Sequence, residues 1–519
     1  MRLLFLFLLS LCLTKAVQAQ TTFSKLYWNY PATTLGTAIV VNDSNIFVTG
    51  RGSSWFDLYL VPNIFFIKTD LQGNQLLAKN VIGDEKNIWA DNYTGGLEFV
   101  NEYNLIFAGN FFNYDTLFPP FNEEHNGLLY KFNLYGDTLF TKRFIGDGYT
   151  EFARLIYNEE TERMYIGGAT RDTLSGPGKT YTICTDIDGN LIWEMKGGDG
   201  IHTELGGLLD FIDEDHIISG GIVFNDGADN LGNGKIYKID ASGNAYFSKV
   251  IGTTGYDSEI EVKVAKNKKS YIVRQYIDTV INIGDDAYVS YIGKMDTSGN
   301  FIWRTFLNDI YFKYFYTLRT FDDGSIVAVG HKVVNDVAIT NGYIIKLDSN
   351  GTILWQRDYT EYPTSEHYFY DFRQMPDKGF VISGLGVKAI DDAPQSMLWI
   401  LRLDSMGCLI PGCDGTPIIN PAIIKNAIFK IYPNPVTNTS TVEIKIPDTF
   451  SIIPGAQLQL HIYDISGKLV DSYTNIQPHN AGETLRFNLY KHNLAGGMYE
   501  AVLMYGEINL GSLKLVYGN

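Results

Sequence analysis

Cysteine is scarce, with four in 519 residues, so a scaffold held together by many disulfides is excluded. Proline numbers only 16 and is scattered, which excludes an extended Pro-rich chain. Positive charge is also short: 41 Lys and Arg stand against 58 Asp and Glu, for a net charge of -17. That balance argues against nucleic acid or an anionic membrane as a partner held through phosphates. Beyond the first nineteen residues no apolar run is long enough for a transmembrane segment. The eight His are dispersed, with no H-E-x-x-H and no His and Cys at metal spacing, and the G-x-S-x-G elbow and the P-loop are both missing. The sequence therefore assigns no catalytic residue, metal or cofactor. What it has in quantity is Gly, at 51, and apolar residues, at 45%, enough for large cores joined by many turns.

Met1 and Arg2 lead into an apolar run at 3–13, too short to span a bilayer as a helix, and Val17, Gln18 and Ala19 follow. Residues 1–19 therefore read as a secretory signal peptide, cut before Gln20. Cys12 leaves with it. In the oxidising compartment beyond, Cys408 and Cys413 are close enough in sequence to form a disulfide, and Cys184, inside an apolar strand, reads as a buried inert thiol.

One phrase is written seven times, about every 55 residues: an apolar strand, a basic residue, Asp two places on, Gly three after that, then a second strand. Clear copies are YIIKLDSNGTILW at 343–355 and YIGKMDTSGNFIW at 291–303. The glycines are Gly73, Gly136, Gly189, Gly243, Gly299, Gly351 and Gly407, and Asn133 replaces the Asp in the second copy. Asp at the first turn position bonds the backbone ahead of it, and Gly takes the positive φ that other residues resist, so each phrase is a β-hairpin. Asp186 to Gly189 resembles the start of a calcium loop, yet no bidentate Glu closes it, and a turn is the better reading. The basic residues Lys68, Lys131, Lys238, Lys294, Lys346 and Arg402 read as surface ion-pair partners along their own blades. Four places after each Gly comes a bulky residue such as Trp193, Trp303 or Trp355, suited to fill the layer between sheets.

A second phrase, an apolar strand ending in Gly, precedes each hairpin, as in SIVAVG at 325–330; its fifth copy has Arg274 in place of Gly. With one strand before it, every unit supplies four strands, the content of a propeller blade. The last copy meets Pro411 where its aromatic strand should start, while 25–30 is an orphan strand at the mature N-terminus. That strand is expected to complete the seventh blade, with Trp28 in the vacant aromatic position. The pattern resembles secreted seven-bladed propeller repeat proteins with a K-x-D-x-x-G-N-x-x-W line in each blade, over about 25–413, and the propeller domain is expected at 20–413.

Residues 414–427 read as a linker, and 428–519 as short alternating strands that suit a small immunoglobulin-like β-sandwich. Four ordered motifs lie there. Tyr432, Pro433, Asn434 and Pro435 form the first, Asp464 and Gly467 belong to the second, Gly497 and Tyr499 to the third, and Lys514 to the last. In these motifs the segment resembles the type A C-terminal sorting domain of the type IX secretion system. The resemblance implies the type IX secretion machinery as a partner, Sec export through the periplasm, and a product that is secreted or attached to the outer-membrane surface. The whole is thus an all-β chain, a seven-bladed β-propeller followed by a β-sandwich.

In a propeller the loops into the innermost strands and those joining strands two and three share one face. Glu151, Glu204, Glu259 and Glu366 precede or begin successive inner strands, so they are candidate ligand-binding carboxylates at the channel mouth. Trp55, Phe112 and Tyr114 fall in strand-two-to-three loops and are candidates to stack on sugar rings. A binding or adhesion module for a glycan or protein ligand is expected. The alternative is an extracellular polysaccharide hydrolase or lyase using carboxylates such as Glu204 and Glu259 across the channel.

Overall fold

The computed structural model describes residues 21–27, 34–56, 59–81, 88–89, 96–113, 124–145, 148–173, 176–214, 216–224, 231–253, 255–278, 288–307, 312–334, 339–362, 365–390, 393–409, 428–437, 440–445, 458–464, 469–476, 484–489, 494–505 and 508–518. Among them every regular element is a β-strand. Seven antiparallel four-stranded blades follow one another at 34–81, 97–144, 149–196, 204–251, 261–306, 313–359 and 368–403. The seventh takes its fourth strand, Phe23–Tyr27, from the other end of the chain. Blade two carries an extra short strand, Ile88–Trp89, and meets blade three through one parallel pairing, Tyr149 with His125. The leader, the Cys413 position and the linker lie outside the described residues.

The hairpin phrase folds as its chemistry dictates. In the third blade Asp186 Oδ1 accepts the backbone N–H groups of Asp188 and Asn190 at 3.0 and 2.8 Å, and Gly189, at φ 74°, donates to the Asp186 carbonyl at 2.9 Å. The same arrangement recurs at Asp70, Asp240, Asp296 and Asp348. Asn133 forms it too in the second copy.

The basic residues of the phrase do more than pair along their own blade, where Lys346 reaches Asp323 at 4.0 Å and Arg402 reaches Asp377 at 2.8 Å. Lys131 Nζ donates to the Ile187 carbonyl at 3.0 Å, Lys294 to that of Ser349 at 3.5 Å, and Lys238 to that of Thr297. Each acceptor is the residue after the turn Asp of the next blade, so the cation latches neighbours together. Arg402 closes the series by donating to the Leu71 carbonyl of blade one at 2.6 Å. The ammonium turns to these carbonyls because the turn has already engaged its Asp oxygens, as at Asp186, where Oδ1 holds the backbone and Oδ2 the Asn190 side chain.

The closing strand sits earlier than 25–30. Phe23 pairs with Arg402 as Trp193 pairs with Cys184 and Trp303 with Lys294, so Phe23 holds the aromatic position assigned above to Trp28, which lies outside the described residues. A Cβ on Gly73 would meet the Phe23 ring at 2.6 Å, just as one on Gly351 would meet Trp303 at 2.7 Å. Lys25 then reaches Asn74 Oδ1 at 3.0 Å, as Lys142 reaches Asn190 Oδ1 at 2.6 Å between blades two and three.

The innermost strands carry a bulge in five blades, opposite the Gly that ends the second phrase. That Gly has no room for a side chain: a Cβ on Gly330 would stand 1.8 Å from the Tyr314 carbonyl oxygen. Blade five, with Arg274 there, has an unbulged inner strand, Glu261–Val264, in which Glu261 faces Arg274 directly. The break in the phrase is thus a local change of backbone that admits one long side chain.

The C-terminal segment forms two sheets. One orders Ile428–Tyr432, Ser440–Lys445 and Thr484–Leu489; the other orders Leu469–Ile476, Leu458–Asp464, Gly497–Tyr505 and Ile508–Tyr517. Val442 and Leu489 of the first pack with Leu460, Ile462, Leu503 and Leu515 of the second in one buried core, which makes the segment a β-sandwich.

Candidate functional site

The axis of the ring is filled by charge. Arg154 of blade three reaches Glu261 of blade five at 2.5 Å and Thr317 of blade six at 3.3 Å. Glu261 also accepts Arg274 Nε at 3.0 Å, and Lys263 Nζ donates to the Leu209 carbonyl of blade four at 2.8 Å. On the other side Asp371 of blade seven holds Arg319 of blade six at 2.8 Å and its own Arg373 at 2.9 Å, and accepts the Ile39 N–H of blade one at 3.1 Å. Arg373 continues to Glu98 of blade two at 3.2 Å. All seven blades contribute. Burial alone would raise the Glu261 and Asp371 carboxyls, but the guanidinium pairs around them hold both below their usual range. Burial, then Arg154, pulls the Lys263 ammonium down to about 8.

Above this plug, on the face of the loops that lead into the inner strands, each of the four candidate carboxylates accepts a tyrosine hydroxyl. Glu151 takes that of Tyr149, Glu204 that of Tyr237, Glu259 that of Tyr314 at 2.6 Å, and Glu366 that of Tyr368 at 2.9 Å. Glu204 is buried and also paired with Lys235 Nζ at 2.5 Å. Glu259 is also paired with Arg274 at 3.2 Å and keeps 31% of its side chain exposed, while Glu366 is open to solvent. Burial and these carboxylates push the hydroxyls of Tyr237 and Tyr314 far above the usual phenol range, and that of Tyr368 to about 12.

Trp55 lies in the strand Asn45–Phe56 and Phe112 in Asn104–Asn113, but their side chains and the whole of Tyr114 are outside the described residues. Instead, half-buried rings from blades five to seven form a continuous shelf between Glu259 and Glu366. Tyr276 and Tyr314 have centroids 5.6 Å apart, Tyr314 and Tyr316 4.7 Å, Tyr314 stacks on His331 at 5.6 Å, and His331 meets Tyr368 edge-on at 4.9 Å. Sequence reasoning missed this shelf, although Tyr314 and Tyr316 recur one repeat later as Tyr368 and Tyr370. Alternate tyrosines at the head of two neighbouring inner strands were the available signal. Next to it His367 is fully buried, and its Nε2 accepts the N–H groups of Glu361, Tyr362 and Val387 at 3.1 to 3.3 Å, so the ring is neutral and its pKa is pushed down to about 4 by burial.

The opposite face, where strands one and two turn, has a cavity of about 650 Å³ between blades one, two and three, with Asp43, Glu102, Glu159 and Glu162 on its walls. Cys184 is buried against Tyr165, and desolvation raises its thiol to about 11, which leaves it unreactive as a nucleophile.

In the sandwich the first and last sequence motifs meet. Asn434 Oδ1 accepts the Val516 N–H at 3.1 Å, the Val436 N–H donates to the Val516 carbonyl at 2.6 Å, and the Pro433 carbonyl accepts Ser440 Oγ at 2.8 Å. Tyr432 and Pro435 flank this contact, each in or beside a cis peptide bond. Tyr499 donates to the Ala495 carbonyl at 2.8 Å, its ring stands 5.0 Å from Tyr517, and Asp464 is its cross-strand partner. Gly497 begins that strand, Lys514 is exposed opposite Glu500, and Gly467 lies outside the described residues.

A family model for a secretion system C-terminal sorting domain matches residues 430–511. No curated protein matches the sequence. Among solved structures the chain is similar to a puromycin hydrolase, with 11% identity, a TM-score of 0.43 and 82% of this chain covered. It is also similar to the β-propeller domain of the Trilobed protease from Pyrococcus furiosus, with 12% identity, a TM-score of 0.38, and 73% of this chain and 99% of that one covered. A third is an alpha-L-arabinofuranosidase from Fusarium graminearum, with 10% identity, a TM-score of 0.37, and 74% and 98% covered. The matched part spans 62% of the puromycin hydrolase's length. The propeller itself follows from the seven-sheet order and the pairing of Phe23–Tyr27 with Ala393–Leu403. The protein is therefore a seven-bladed β-propeller that carries a type IX secretion-system sorting domain, exported to be secreted or held at the outer surface.

Proposed function

We propose that the protein is an exported binding module, with a glycan or protein ligand on the loop face of the propeller, rather than a catalyst. The observation that supports this is the state of the loop-face carboxylates. Each accepts a tyrosine hydroxyl, Glu204 also faces Lys235, and Glu259 also faces Arg274. Glycoside or peptide chemistry by acid and base needs two carboxyls whose environments drive their protonation apart, with one free to give and one to take a proton. Carboxylates already engaged by hydroxyls and cations are placed to accept further hydrogen bonds from a ligand. In this reading residues 1–19 are removed on export, the sorting domain is removed within or near 414–427, and Cys408 and Cys413 form a disulfide at the end of the last hairpin.

The test is a glycan array probed with the secreted protein, run beside a hydrolysis screen on the same glycans. Retention without product is expected. Release of product overturns the binding reading in favour of a hydrolase or lyase, and silence in both assigns the face to a protein ligand. The intact mass of the same secreted material reads the processing, and a full-length species would overturn it.

A further inference from the structure

We propose that the aromatic shelf of blades five to seven, framed by Glu259 and Glu366, is the binding site for a neutral glycan chain. The proposal rests on the binding-module reading above and gives it a place and a ligand class. Tyr276, Tyr314 and His331 belong to none of the cores beneath them, and Tyr316 and Tyr368 lean on the edge of the cluster of Leu35, Tyr370, Leu385 and Val387. Blade five is filled by Val262, Tyr271 and Tyr291, and blade six by Phe315, Leu318 and Tyr343, whereas Tyr276, Tyr314, Tyr316, His331 and Tyr368 stay half-buried. Large rings left at a surface in contact with one another, across three blades, form a patch of the kind that marks a ligand site.

The chemistry of the patch selects its occupant. A sugar ring offers an apolar C–H face and a rim of hydroxyl donors. The negative π-faces of the tyrosines complement the first, and carboxylate oxygens complement the second. Glu259 and Glu366 each use one contact on a shelf tyrosine and retain access to solvent. The guanidinium at the shelf, Arg274, is committed to Glu259, Glu261 and the Tyr316 carbonyl, and so is not offered to an anion. His331 adds no charge: burial pushes its pKa down to about 4, and its Nδ1 is buried without a hydrogen-bond partner. A uronate or sulfated glycan would bring its charge against two carboxylates, in a protein of net charge -17. A neutral chain meets no such cost.

The experiment is calorimetric titration of the full chain with hexasaccharides of β-1,4-glucan, β-1,4-mannan, β-1,4-xylan and β-1,3-glucan, with oligogalacturonate and a lysine-rich peptide as charged comparators. The same titrations are run on Tyr314→Ala, Tyr368→Ala and Glu366→Gln. At least one neutral hexasaccharide is expected to bind, with each tyrosine truncation weakening it about tenfold or more. Glu366→Gln changes an exposed side chain without changing its size, so it remains informative if a tyrosine variant fails to fold; a several-fold loss of affinity is expected. Glycan binding that none of the three variants weakens would overturn the shelf while leaving the binding-module reading intact. Binding of only oligogalacturonate or the peptide, or of no probe, would overturn the neutral-glycan assignment. Cleavage of a bound hexasaccharide would overturn the module reading itself.

Discussion

Arg274 shows how much one residue can decide. Six copies of the second phrase end in Gly, and five of these Gly lie opposite an inner-strand bulge; the fifth copy spends its position on a guanidinium that joins Glu261, Glu259 and the Tyr316 carbonyl. The anomaly was visible in the sequence, but its purpose was not. Its partner Glu261 is shared with Arg154 of blade three, 107 residues away, and no local spacing connects those two. Glu261 is fully buried with two guanidinium groups on it, so removing its charge leaves both cations uncompensated in a poor solvent. Glu261→Gln is therefore expected to cost about 3–5 kcal/mol, read as a fall in the midpoint of urea unfolding. Glu259→Gln, partly exposed and on the rim of the same cluster, should cost much less. Equal losses from the two variants would show that the axial ion pairs carry no special share of stability.

At the scale of the element, what was legible is what the chain settles locally. The Asp oxygens and the Gly φ make a hairpin within a few residues, so the phrase announces itself wherever it occurs. The direction of the basic side chain was not legible, because its acceptor is the carbonyl of the next blade's turn, reached only after both hairpins have folded. The loop-face carboxylates divide in the same way. Their position at the heads of the inner strands followed from the repeat, while the tyrosine partners of Glu204 and Glu259, on another strand and on the next blade, did not; those of Glu151 and Glu366 stand two residues away. Gly351 combines the local and the distant requirements. It sits at φ 86°, and a Cβ there would come within 2.7 Å of the Trp303 ring of the preceding blade. Gly351→Ala should thus strain the turn and push two blades apart at once, at about 2 kcal/mol or more. Gly200 has φ 75° with nothing within 4 Å, so Gly200→Ala should show the backbone part alone. A melting temperature lowered equally by the two would mean that the contact between blades adds nothing.

At the scale of the molecule the ring is closed by a strand that belongs to no repeat. Phe23–Tyr27 supplies to blade seven everything a fourth strand supplies elsewhere: Phe23 under the Gly73 turn, Lys25 on Asn74, and the Tyr27 hydroxyl on the Gly73 carbonyl at 2.7 Å. From the other side Arg402 latches onto Leu71. Blade seven thus touches blade one through contacts that recur between other neighbouring blades, such as Lys131 on Ile187 and Lys142 on Asn190 between blades two and three. The break of the last copy at Pro411 announced that a terminal strand was needed, but the aromatic position expected for Trp28 is held by Phe23, in the register set against Arg402. Deleting 21–27 should leave Ala393–Leu403 as an unpaired edge and strip blade one of its neighbour's latch. Amide exchange is then expected to accelerate in strands Ala393–Leu403 and Tyr59–Asp70 first, with blades three to five keeping their protection because their contacts are untouched. The Lys79→Ala variant removes the equivalent of Lys25 between blades one and two without opening the ring, and should raise exchange at that interface alone. If the deletion left exchange at the seam unchanged, the ring would be held by its axial ion pairs, and the terminal strand would be an ornament on a propeller already closed.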